Sequence, residues 1–168
     1  MTVPRLRHLA PWLLALMLAA GAIAVLSAAQ AKTPRATLKS ESVTSVNASV
    51  LADAKGRTLY RLKPETPKHL LCTSRACLAV WPAATVKSKS TKVTLPSGVT
   101  GTVGFLKRGT RYQLTFRGVP LYRYAGDSGA RQANGQHIHS FGGTWSVLVT
   151  GKKKPKASPQ PSPSPSPY

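Results

Sequence analysis

Few side chains in this sequence have both the type and the spacing to do chemistry. Cys72 and Cys77 stand in "CTSRAC". In an exported chain a disulfide closing a short local loop is the expected state. The alternative is a redox-active or metal-binding thiol pair, although C-x4-C is not the C-x2-C of zinc or thioredoxin sites. His137 and His139 in "QHIHS" share a face if that segment is extended. Two imidazoles on one face suit copper or zinc; the bland reading is an exposed polar loop between Gly135 and Gly142. The acids are Glu41, Asp53, Glu65 and Asp127, and there are no others. With no G-x-S-x-G, no Walker-type or G-x-G-x-x-G loop and no Cys–His context, the sequence is read as non-catalytic.

The most informative residues come in two matching sets. "GRTLYRL" begins at Gly56 and "GVPLYRY" at Gly118. Both read G-x-x-L-Y-R, with Leu59, Tyr60 and Arg61 in the first and Leu121, Tyr122 and Arg123 in the second. An acid follows five residues after each Tyr, Glu65 and Asp127, and a Trp closes each half, Trp81 and Trp145. Shared Gly, Leu, Tyr, acid and Trp in register indicate an internal duplication. Tyr60 and Leu62 point to one face of a strand, as do Tyr122 and Tyr124, while Leu59 and Leu121 point the other way beside Arg61 and Arg123. A buried Tyr needs a hydrogen-bond partner, and the acid or a backbone group it orients is the nearest candidate.

The elements that must position these residues read mainly as strands. "SVNASVLAD" alternates through Val46, Ala48 and Val50; the turn "DAKG" and "RTLYRLK" complete a hairpin. Further on, Val103–Lys107, Tyr112–Phe116 and Pro120–Tyr124 form a meander, and Thr144–Thr150 is a final strand. Only Arg75–Trp81 has the character of a helical turn, ended by Pro82. The expectation is one compact, mainly β domain over 42–150, built of repeat 1 (about 46–96) and repeat 2 (about 97–150). Neither half is large enough to bury its own apolar face, so the two must share a core.

The ends are of another kind. Residues 1–31 have a basic start, an apolar run from Leu9 to Leu26 and "AQA" before Lys32, the order of a signal peptide; uncleaved, the run is long enough to act as an anchor. Residues 32–41 read as a basic linker, and 151–168 as a Lys cluster followed by a Pro/Ser-rich tail that cannot form a core. The chain holds 24 Lys and Arg against 4 Asp and Glu, a formal net charge of +20. Such a balance favours polyanions. The partners expected are anionic polymers of the cell envelope or an anionic lipid surface, with no specific nucleic-acid site. The candidate contacts are Arg57, Arg61, Arg117 and Arg123 on the strands and Lys152, Lys153, Lys154 and Lys156 in the tail.

"YRYAGD", Tyr122 to Asp127, preceded by "QLTFRGVPLY" and followed by "NGQ…FGGTW", resembles the Y-x4-D signature of the bacterial secreted repeat of unknown function, a family of predicted lipoproteins with tandem repeats. The first copy is similar through "LADAKGRTLY" and "C…CLAVWP", so the resemblance spans about Val46 to Val149. It implies export and a small β-rich fold, and no particular chemistry. The first copy departs from the signature, with Leu62 in place of an aromatic residue and Glu65 in place of Asp. His137 stands where relatives have Gly, and no Cys lies near the cleavage site to carry a lipid. The function expected is a non-catalytic, envelope-associated binding or structural role. The alternative is an extracytoplasmic metal- or redox-linked protein using the His and Cys pairs.

Overall fold

The computed structural model describes residues 33–152. The signal or anchor segment and the tail from residue 153 on, with Lys153, Lys154 and Lys156, lie outside them; Gly151 and Lys152, expected in the tail, are strand residues paired with Ser49 and Ala48. The elements are β1 (Arg35–Thr37), β2 (Lys39–Val43), β3 (Ala48–Ala52), β4 (Tyr60–Lys63), α1 (Arg75–Val80), β5 (Thr85–Val86), β6 (Lys92–Thr94), β7 (Val103–Arg108), β8 (Arg111–Phe116), β9 (Val119–Pro120), β10 (His139–Ser140), β11 (Gly143–Val147) and β12 (Val149–Lys152). The fold is mainly β, as the alternating pattern predicts. Among the described residues no helix is long and apolar enough to cross a membrane.

The duplication is visible in how strands are exchanged. Hairpin β2–β3 of the first repeat is joined on its other side by β12, which follows Trp145 of the second. Hairpin β7–β8 of the second repeat is joined by β5, which follows Trp81 of the first. Each hairpin therefore completes its sheet with a strand from the other half. At the centre Tyr60 N–H donates to Tyr122 O and Tyr122 N–H donates to Tyr60 O, both at 2.9 Å. Such a reciprocal pair is what a local two-fold relation between the repeats requires.

Strand alternation divides the interior along this central pair. Leu59 and Leu121 are fully buried on one side with Leu51, Leu114 and Phe116. Tyr60 and Tyr122 are fully buried on the other with Trp81, Trp145, Leu62 and Val50. Gly56 and Gly118 lead into the two Tyr segments at φ 78° and 76°, the left-handed conformation that a side chain makes costly.

Several expectations need correction. Residues 35–41 are not a linker. β1 pairs in parallel with β6, β2 pairs with β3, and Leu38 between them is buried at 3% exposure; a single apolar anchor in a basic run is a weak signal. The strand expected from Val46 begins at Ala48, after a short 3-10 turn at Thr44–Val46. The Tyr60 strand leaves its hairpin after Leu59 N–H bonds to Leu51 O. It pairs instead with β11, Trp145 opposite Leu62 and Val147 opposite Tyr60. The meander likewise ends at β9, after which Tyr122 pairs with Tyr60 and Ala83. The final strand is divided at Leu148, because β11 and β12 serve different sheets.

Candidate functional site

α1 begins where the Ser74 side chain accepts a hydrogen bond from Cys77 N–H at 3.1 Å, a cap that its sequence position supports. The Cys72–Cys77 disulfide, with Cα atoms 5.5 Å apart, ties the approach to the helix. The helix ends at Trp81, immediately before Pro82. Trp81 is thereby placed against Trp145 of β11, with ring centroids 3.8 Å apart and planes 5° from parallel. Each Trp meets its own repeat's Tyr edge-on, Tyr60 at 5.4 Å from Trp81 and Tyr122 at 5.1 Å from Trp145. Tyr124 lies against the other side of the cluster, 4.5 Å from Trp81.

The acids cross between repeats. Tyr60 Oη donates to Asp127 Oδ2 at 2.6 Å, and Tyr122 Oη donates to Glu65 Oε1 at 3.0 Å. Each Tyr thus uses the acid of the other half and not the one five residues along its own chain. Each carboxylate also accepts the backbone N–H seven residues on, Cys72 for Glu65 at 3.0 Å and Asn134 for Asp127 at 2.9 Å. The second partners differ. Tyr122 Oη accepts from Arg108 Nη2 at 2.8 Å, and Arg108 Nε donates to the buried Gln113. Tyr60 Oη accepts instead from Gly135 N–H at 3.3 Å. Burial, reinforced by the carboxylates, pushes both phenols well above the ordinary tyrosine value, so both stay protonated as donors. Tyr60, Tyr122, Trp81 and Trp145 have no exposed surface, and Glu65 and Asp127 are buried. This centre is a closed cross-link between halves and offers no face to a ligand.

Other predicted residues lie elsewhere. Asp53 Oδ2 receives Arg57 Nη2 and Arg123 Nε, both at 2.8 Å. Burial pushes this carboxyl up, but the hydrogen bonds from Arg57 and Arg123 outweigh it and hold it below the usual carboxylate value. Arg57 and Arg123, 38% and 25% exposed, thus share this one carboxylate. Arg61 is half-buried and Arg117 is exposed; Lys152 ends β12. His137 has φ 63°, in a turn, and His139 begins β10. The segment is thus not extended through both, which removes the geometric argument for a shared face. Among the described residues no group of three or more His, Cys, Asp or Glu is placed to hold a metal ion. Arg108, Gln113 and Asn134 brace the tyrosine and acid of the second repeat from within that repeat, a role that no motif in the sequence marks. A polar Gln113 alternating with Tyr112 and Leu114 was the one signal available.

Residues 107–149 match the secreted repeat of unknown function. The match runs from the end of β7 through Trp145 to the start of β12, and a repeat described as secreted supports export of the protein. No curated protein and no solved structure matches the chain.

Proposed function

We propose that this exported protein is a non-catalytic, basic binding or structural module of the cell envelope, held by charge to anionic polymers. One observation carries the reading: every acid of the chain is used within the fold. Asp53 is shared by Arg57 and Arg123, Glu41 pairs with Arg131, and Glu65 and Asp127 accept from the buried tyrosines. The exposed cations, among them Lys55, Lys68, Lys87, Lys89, Lys107 and Arg111, have no protein carboxylate left to neutralise them. Such a surface holds counterions that a polyanion displaces, giving weakly selective, salt-sensitive binding. An anionic lipid surface supplies the same charge and is a second source of it.

The test is retention of the mature protein on immobilised polyphosphate and on anionic vesicles across a salt series. Retention is expected at low salt and should fall steeply as the screening length drops to about 8 Å at physiological ionic strength. Removing Lys152 to Lys156 should weaken retention without abolishing it. Binding indifferent to salt, or none at low salt, would overturn the reading.

A further inference from the structure

The local two-fold relation places two clefts in equivalent positions, and they differ in one respect. In the first repeat Asp53 N–H bonds to Arg57 O; in the second, Phe116 pairs with Val119. Asp53 and Arg57 thus correspond to Phe116 and Val119, just as Arg123 corresponds to Arg61 after each Tyr. One cleft holds Arg123 and Arg57, both donating to the single carboxylate of Asp53. Its counterpart, about 290 Å³, holds Arg61 with Phe116 and Val119, and is walled further by Leu148, Val149 and Arg117.

At the positions where its twin finds Asp53 and Arg57, Arg61 therefore has the apolar side chains of Phe116 and Val119. Its Nε is buried and has no hydrogen-bond partner. No carboxylate of the described residues forms an ion pair with Arg61 or Arg117. The Arg117 guanidinium is fixed at the rim by Thr100 O, at 3.2 Å from Nε and 2.7 Å from Nη2, and lies 5.0 Å from the centre of the Phe116 ring. Val149 is 55% exposed, leaving an apolar wall open beside these two cations. A buried guanidinium N–H without an acceptor is costly, and a carboxylate is the acceptor its planar fork matches.

We propose that this cleft binds a small organic acid, a carboxylate on a short apolar stem. The carboxylate takes the place relative to Arg61 that Asp53 has relative to Arg123. The stem lies against Phe116, Val119 and Val149. Binding here is stoichiometric and selective for the acid group, unlike charge-driven association with a polymer.

The probe is hexanoate, titrated into the full mature chain at about 0.5 M salt, where long-range attraction is screened, with amide NMR shifts as readout. Saturable shifts are expected at Val119 and Val147 to Val149, and not with hexanol or hexylammonium. Arg61→Met should weaken hexanoate binding by about thirtyfold or more, the usual result of removing one partner of a sheltered charge pair. Val119→Glu, at the half-exposed position equivalent to Arg57, should also abolish binding by supplying an internal carboxylate, and should raise the melting temperature. This second variant decides the matter if Arg61→Met fails to fold. Equal binding of hexanol, no saturable shift at millimolar hexanoate, or full affinity in Val119→Glu overturns the proposal. Polymer retention is read at low salt on the unaltered chain, so either result stands without the other.

Discussion

The two repeats keep the same five landmark residues and surround them differently. In the first, Trp81 comes from a short helix braced by the disulfide, and its indole Nε1 is buried without a partner. In the second, Trp145 comes from a strand, and its Nε1 donates to Ser140 Oγ at 3.0 Å. Arg123 has Asp53, whereas Arg61 has no acid. What the halves share is what meets across the two-fold: Tyr against Tyr, Trp on Trp, each acid on the other repeat's phenol. What they do not share lies outside that contact. In a self-complementary centre each residue is fitted to the other copy, so altering one repeat should register first in its partner.

The largest effect should come from separating them. Residues 33–96 and 97–152 made as individual fragments each lose the third strand of their hairpin sheet and half of the Tyr–Trp centre. Neither should show cooperative unfolding. Mixed in equal amounts, they should regain it, because the exchanged strands then find their sheets. A fragment that folds alone would mean the repeats are independent units, and the comparison would lose its basis.

Next in size is the crossed tyrosine pairing. Tyr60→Phe leaves Asp127 Oδ2 buried without its donor and should cost about 3 kcal/mol, since an unsatisfied buried oxygen of a charged group costs more than a simple lost hydrogen bond. A double-mutant cycle sharpens the point: Tyr60→Phe with Asp127→Asn should couple by about 1 kcal/mol or more, and Tyr60→Phe with Glu65→Gln by much less. Equal coupling to Glu65 would restore the within-repeat pairing. Alkali gives a separate check. Both phenols are raised in the folded state, so stability is unaffected below the unfolded tyrosine value of 10.0. Above it, the unfolded chain ionises while the folded one does not, and stability falls. Tyr60→Phe should flatten part of that decline.

The core was largely legible because burial in strands leaves a period of two. Alternation places Leu59 and Tyr60, and Leu121 and Tyr122, on opposite faces, and all four are buried there. The duplication itself was legible as register. Partner choice was not. Alternation states which way Tyr60 points but not which acid it meets, and chain proximity favoured Glu65 over Asp127. The same limit hid the strand exchange: β5 and β12 are short, and nothing local distinguishes a strand that pairs at home from one that pairs across. Arg57, Arg61, Arg117 and Arg123 look alike in sequence; three-dimensional placement separates two side chains that share one carboxylate from one without an acid partner in a cleft and one at its rim.

A smaller effect concerns Asp53, the acid that only the first repeat supplies. Its carboxyl is held below the usual value, so its contribution is present above the unfolded value of 3.8 and is lost as the pH falls through the lower folded one. Asp53→Asn should cost about 2 kcal/mol at neutral pH and should make the acid limb of the stability profile shallower. An unchanged acid limb would show that Arg57 and Arg123 are solvated in solution and that the two clefts are electrostatically alike.

The smallest expected effect tests the indoles. Ser140→Ala removes the acceptor of Trp145 Nε1 and makes the second repeat resemble the first, where Trp81 Nε1 goes without one. The loss should be about 1 kcal/mol, the usual net worth of a neutral hydrogen bond, read from the midpoint of denaturant unfolding at constant slope. The stacked pair should survive, because Trp81 keeps its place without an indole acceptor through packing with Trp145, Tyr60 and Tyr124. A loss of several kcal/mol would mean that the Ser140 contact, and not the stacking, positions Trp145. The two tryptophans would then be held by different forces despite their parallel faces.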